Sequence, residues 1–127
     1  MKSIETNLIT LANFTGISGC ALVEADTGMV WHHAGELNDM ERVGEAAVEF
    51  WRTQRRISKQ LEVVGELKFA NFKYANKTIA LVPCDESRGL ILVCLANSQG
   101  VNWRDWMQHL PPFRQAVQAY IEHNQAN

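Results

Sequence analysis

The run Leu90-Ile91-Leu92-Val93-Cys94-Leu95-Ala96 constrains this chain more than any other stretch. Seven consecutive apolar residues, bounded by Arg88-Gly89 and Asn97-Ser98, are too few for a typical helix. A strand that does not alternate must be covered on both faces, so it belongs in the middle of a sheet with helices on each side. The remainder of the chain has to supply those helices and the neighbouring strands.

Candidates lie on either flank. Ile4, Leu8, Leu11 and Ala12 recur at helical spacing, with Ser3 as N-cap and Gly16 as the stop. Gly19 to Glu24 reads as a strand, Ala25-Asp26-Thr27-Gly28 as a turn, and Met29 to His33 as the returning strand of a hairpin. A second helix follows, capped by Asn38 with Glu41 three residues on. Its apolar stripe is Met40, Val43, Ala47, Phe50 and Trp51. Leu61, Val63, Leu67 and Phe69 then alternate, while Phe72 and Tyr74 have the opposite parity, which a bulge near Ala70-Asn71 would reconcile. Ala75-Asn76-Lys77 is a tight turn, Thr78 to Val82 a strand, and Pro83 to Gly89 a loop into the central run. Trp103, Trp106, Met107 and Leu110, then Phe113, Val117, Tyr120 and Ile121, are helical in period, and Pro111-Pro112 forces a break into two helices or one sharply kinked.

The expected fold class is α+β, a five-stranded antiparallel sheet with the middle helix on one face and the N- and C-terminal helices on the other. Residues 1–127 are expected to form one domain. A hydrophobic fraction of 46% and a charged fraction of 20% are ordinary for a soluble globular chain, and a net charge of −2 gives no global field for nucleic acid or an anionic membrane. No apolar run nears the length of a membrane span. Cys20, Cys84 and Cys94 lack C-x-x-C spacing, which suits a reducing cytoplasm.

The chemistry on offer is sparse. His32 and His33 are adjacent in a strand and point to opposite faces, so they cannot share a metal ion, and no cysteine lies at ligand spacing from any histidine. Gly16-Ile17-Ser18-Gly19 precedes a strand, whereas a nucleophile elbow needs a strand-to-helix turn. Cys84, read as a loop residue beside Asp85 and Glu86, has neighbours that raise a thiol pKa. Phosphate-binding glycine loops are absent. The expectation is a chain that is not an enzyme, with no catalytic residue, cofactor or metal.

The aromatic residues are more informative. Phe50 and Trp51 on the middle helix, with Phe69, Phe72 and Tyr74 on the third strand, put large apolar groups on neighbouring elements. An apolar strand at a sheet edge is an aggregation hazard unless another chain covers it, and a two-fold contact with a second copy would do so. A second candidate surface is the basic cluster Arg52, Arg55, Arg56 and Lys59, whose cations also relieve the dipole at the end of their helix. Trp103 and Trp106, three apart, are further candidate partner anchors.

The chain resembles the Roadblock/LC7 family, whose domains are similar to profilin-like and longin-like folds. The resemblance covers the opening helix, the G-C-A-L-V-E-A-D-T-G-M-V-W hairpin at 19–31, the middle helix, V-G-E-L at 64–67 and the strand entry from Pro83 through G-L-I-L-V at 89–93. The C-terminal segment, with Pro111-Pro112 and two tryptophans, departs from the simple final helix of that pattern. The resemblance implies a small non-catalytic module that homodimerises through its middle helix and third strand into a continuous ten-stranded sheet. Such modules act as scaffolds and regulators, often of Ras-like small GTPases, or as light chains of motors. On this chain the dimer residues would be Val43, Ala47, Phe50, Trp51, Leu67, Phe69, Phe72 and Tyr74. The alternative is a small-molecule sensor of PAS or GAF type, which requires an internal pocket with a few convergent polar groups.

Overall fold

The computed structural model describes residues 2–36, 38–97 and 99–125. Its elements, in order, are α1 (Lys2–Ala12), β1 (Ile17–Glu24), β2 (Val30–Gly35), α2 (Met40–Arg56), β3 (Ala70–Lys73), β4 (Lys77–Asp85), β5 (Leu90–Asn97), α3 (Trp103–Met107) and α4 (Leu110–Gln125), with a short 3₁₀ turn at Ser58–Leu61. The strands form one antiparallel sheet in the order β2-β1-β5-β4-β3. The apolar run is therefore the central strand, paired on one side with β1 and on the other with β4.

Its residues alternate between two cores. Leu90, Leu92 and Cys94 face α1, α3 and α4, where they meet Ile4, Leu8, Leu11, Trp106, Phe113 and Val117. Ile91, Val93 and Leu95 face α2 and pack with Met40, Ala47, Val48 and Trp51. The middle helix thus covers one face of the sheet and the terminal helices the other. Strand register builds each core in rows: Leu92 lies between Leu22 of β1 and Val82 of β4, and Val93 between Ala21 and Leu81.

The hairpin forms as expected. Gly28 takes φ +76°, a conformation costly for other residues, and the turn is closed by Gly28 N–H to the Glu24 carbonyl at 2.8 Å and Glu24 N–H to the Met29 carbonyl at 2.9 Å. At the far end of the same pair, Gly35 at φ +88° sits so close to Ser18 that a Cβ would fall 2.5 Å from its carbonyl oxygen. The C-terminal segment is two helices. The break falls at Gln108-His109, and Pro111-Pro112 occupy the first turn of α4, where a missing N–H is not needed.

Four local expectations are corrected. Ser3 lies inside α1 rather than capping it, and the helix ends at Ala12, ahead of Gly16. The N-cap of α2 is Asp39, with φ −113° and ψ −3° and no side-chain cap bond, so the expected Asn38–Glu41 box does not form. The third strand does not begin near Leu61. Val64 and Gly65 N–H groups fold back onto the Leu61 carbonyl, Gly65 adopts φ +88°, and the chain regains extended pairing only at Ala70. A loop, not a bulge, reconciles the two parities. Finally, β4 continues through Pro83 and Cys84 to Asp85, with an irregularity in its pairing to β5 between Pro83 and Asp85, so Cys84 is a strand residue.

Because Leu92 is fully buried in the middle of its row, replacing it with alanine removes packing that neighbouring side chains cannot refill. Leu92→Ala is expected to lower the unfolding free energy by about 2–5 kcal/mol. Urea denaturation followed by circular dichroism checks this, and an unchanged midpoint would contradict the central placement.

Candidate interaction surface

Helix α2 carries three different surfaces around its axis. Met40, Gly44, Ala47, Val48 and Trp51 are buried beneath it against the sheet. One flank, at helical spacing, is Glu41, Glu45, Arg52 and Arg55. Arg52 donates to the Ala25 carbonyl from both Nε (3.1 Å) and Nη2 (2.7 Å), and Arg55 reaches the Asp26 carboxylate at 3.4 Å. This flank therefore ties the helix to the β1–β2 turn, and Arg52 also pairs with Glu49 at 2.7 Å.

The other flank holds Val43, Ala46, Phe50, Thr53 and, just past the helix, Ile57. It bears no charge. Phe50 stacks on Phe72 of β3, with ring centroids 4.4 Å apart and planes at 26°, which fixes this side as the one toward the β3 edge. Val43, Phe50, Leu67 and Phe72 are half-buried against the α2 core. Tyr74, immediately after β3, is 53% exposed, and Ile57 is 41% exposed. Among the described residues, the buried side-chain oxygen of Asn71 on β3 has no hydrogen-bond donor.

The structure thus brings together Val43, Phe50, Leu67 and Phe72, with Tyr74 just past the strand. Ala47 and Trp51 lie beneath the helix and support this surface from inside the chain. Phe69 is on the opposite face of the sheet, its ring 5.7 Å from Trp103. Trp106 is fully buried, its indole N–H donating to the Leu11 carbonyl at 3.2 Å, and Trp103 packs edge-on against it at 5.3 Å. Trp106 is core and offers no indole to a partner. Of the basic cluster, Arg52 is engaged within the chain, whereas Arg56 and Lys59 are exposed. Ala46, Thr53 and Ile57 were not singled out from sequence. Their signal is the uncharged spacing along α2, which acquires meaning only once β3 is known to lie on that side.

The polar residues considered for chemistry are separated or engaged. His32 Nδ1 lies 3.6 Å from Glu5 of α1, whereas His33 borders a cleft with Met40 and Glu41 on the α2 side. Among the described residues no three His, Cys, Asp or Glu side chains are grouped to hold a metal ion. Ser18 Oγ accepts from Lys77 Nζ at 3.0 Å. Burial pushes the Cys84 thiol up to about 12, with the Arg114 guanidinium pulling it partly back and Asp85 adding only a smaller upward push. Burial, rather than the acidic neighbours expected from sequence, is thus the main cause of the raised thiol. A cleft of about 770 Å³ opens between the end of α2 and the 58–67 segment and mixes Arg55 and Lys59 with Glu62, Glu66 and Glu86. Among the described residues no helix is long and apolar enough to cross a membrane.

No family model matches the sequence, and no curated protein matches it. The fold, in contrast, has close counterparts among solved structures. It is similar to a Roadblock/LC7 domain from Streptomyces avermitilis, with a TM-score of 0.76 at 13% identity over 96% of this chain and 98% of that one. It is similar to Myxococcus xanthus MglB, with a TM-score of 0.71 at 12% identity over 96% of this chain and 90% of that one. A structure of MglB with a tetrameric arrangement gives 0.72 at 13% identity, covering 96% of this chain and 89% of that one. The chain has a Roadblock/LC7-like fold.

The raised Cys84 thiol carries a sign. A thiol whose folded value lies above its unfolded value of 9.0 binds its proton more tightly when folded. The stability it contributes is complete below pH 9 and falls as pH rises toward about 12. Urea midpoints measured at pH 8 and pH 10 are expected to drop on the alkaline side, with Cys84→Ser removing part of that drop. An equal drop in both proteins would assign the alkaline loss to other groups.

Proposed function

We propose that this chain is a non-catalytic regulatory scaffold that acts as a homodimer. The observation that carries the reading is the uncharged flank of α2 beside the open edge of β3. An edge strand offers unpaired backbone groups, and an uncharged helix flank next to it offers apolar area with little desolvation cost. A two-fold contact satisfies both at once: β3 pairs with its copy, extending two five-stranded sheets into one of ten, while the α2 flanks pack together. Val43, Phe50, Leu67, Phe72 and Tyr74 then contribute contacts together with Ala46 and Thr53. Ala47 and Trp51 hold the helix at the right height, and Phe69 braces the strand from the opposite face. The likeness in fold to Roadblock/LC7 and MglB structures supports the class of module, and the open, mixed-charge cleft favours it over a small-molecule sensor.

Ala46 is exposed in the single chain and tolerates a long side chain there. Ala46→Arg should fold normally yet place an unpaired charge at the seam, weakening the dimer by at least about tenfold, equivalent to 1.4 kcal/mol. Sedimentation equilibrium over a concentration series measures this. A wild-type chain that stays monomeric at high micromolar concentration, or a variant that dimerises as well as wild type, overturns the reading.

The partner we propose is a Ras-like small GTPase, with the exposed Arg55 and Arg56 end of α2 as a docking surface. This finer step rests on the family resemblance. Calorimetric titration with such a GTPase, loaded in turn with GDP and a GTP analogue, is expected to show saturable binding that depends on the nucleotide. Equal or absent binding in both states would remove the GTPase from the proposal and leave the dimer standing.

A further inference from the structure

The proposed seam makes no use of Cys20 and Cys94. They are direct partners across the antiparallel β1–β5 pair, and both are fully buried on the terminal-helix side of the sheet. Their sulfur atoms are 2.9 Å apart, and both are free thiols. Directly opposed residues in an antiparallel pair have Cα atoms about 4.5–5.5 Å apart. That spacing lies within the roughly 4.4–6.8 Å that a disulfide requires. The row is flanked by Ala34 of β2 beside Cys20 and Ala80 of β4 beside Cys94, so no bulky neighbour within the row stands next to the sulfurs.

We infer that Cys20 and Cys94 are a redox pair that closes to a disulfide within the chain when a peroxide reaches the core. One sulfur, as thiolate, attacks the peroxide O–O bond and becomes a sulfenic acid, releasing hydroxide that leaves as water once protonated. The second thiol then displaces the sulfenic oxygen as a second water, and the sulfur–sulfur bond forms. Two thiols lose two protons and two electrons, and one hydrogen peroxide is reduced to two waters. Burial also pushes the Cys94 thiol well up, so thiolate is scarce and closure at neutral pH is slow.

The bond would join the second and third strands of the sheet across a sequence separation of 74, enclosing β2, α2, β3 and β4 in one covalent loop. A loop of that length restricts the unfolded chain far more than the folded one. Oxidation would therefore make the sheet harder to unfold while leaving the outer surface of α2 unchanged.

The test uses the full chain carrying Cys84→Ser, which removes the half-buried competitor. After hydrogen peroxide treatment, intact-mass spectrometry is expected to show loss of two hydrogens, and peptide mapping a Cys20–Cys94 link that dithiothreitol reverses. The urea midpoint of the oxidised protein should lie above that of the reduced protein. Addition of oxygen atoms without a link, or links only between chains, overturns the inference. Should the folded protein be inert, peroxide is added during refolding from urea, and a refolded product with both thiols free also overturns it. Adding Cys94→Ala should abolish the link, and if that variant does not fold, peptide mapping of the parent decides alone.

Discussion

A strand that is apolar on seven consecutive residues, Leu90 to Ala96, can persist only if both faces and both edges are taken, and β5 imposes that demand on the entire chain. Its edges are taken by β1 and β4. Its faces need two independent helical layers, because a single layer would leave either Leu92 and Cys94 or Ile91 and Val93 in water. Each such Leu, Ile or Val contributes about 1.5–3 kcal/mol when buried. The terminal helices reach one face from opposite ends of the sequence, and the Trp106 indole bonded to the Leu11 carbonyl joins them across it. A polar indole N–H in a closed core is tolerated because that carbonyl satisfies it.

The sequence was most readable where periodicity and backbone chemistry agree. The β1–β2 hairpin follows from Gly28 between two apolar runs, the existence of a C-terminal break from Pro111-Pro112, although it falls just before them at Gln108-His109, and the double cover from a run without alternation. It was least readable between Ile57 and Phe69. Leu61, Val63, Leu67 and Phe69 alternate as strand residues do, yet Val63 is 93% exposed and Val64 73% exposed in a loop closed by local N–H to carbonyl bonds. Alternation reports a half-buried surface, and it misleads when the apolar side chains are not buried at all. Pro83 concealed the length of β4 for a related reason: proline argues against a strand unless the pairing is already irregular, and here it is.

Side-chain roles at the surface were legible only in part. The spacing of Val43 and Phe50 marks an amphipathic helix, but which flank of α2 meets which strand is decided by topology. Arg52 illustrates the limit. A cation near a helix C-terminus has a sufficient local reason to be there. Its grip on the Ala25 carbonyl, 27 residues away, supplies a stronger reason that no local pattern could reveal.

That grip also bears on the reading of the opposite flank. Charges on α2 are unevenly placed: Glu41, Glu45, Arg52 and Arg55 lie along one side, two of them tied to the β1–β2 turn, Arg42, Glu49 and Arg56 point outward, and the row Val43, Ala46, Phe50, Thr53 and Ile57 carries none. A helix with water along both sides gains solubility from charge on either and has no physical reason to exclude it from one. The excluded side is the one next to β3, a strand of four residues whose outer backbone groups have no neighbour in the sheet. Shortness and the exposed Lys73 limit indiscriminate strand addition there. They do not obstruct a partner that brings its own uncharged helix flank, and a second copy of this chain is such a partner.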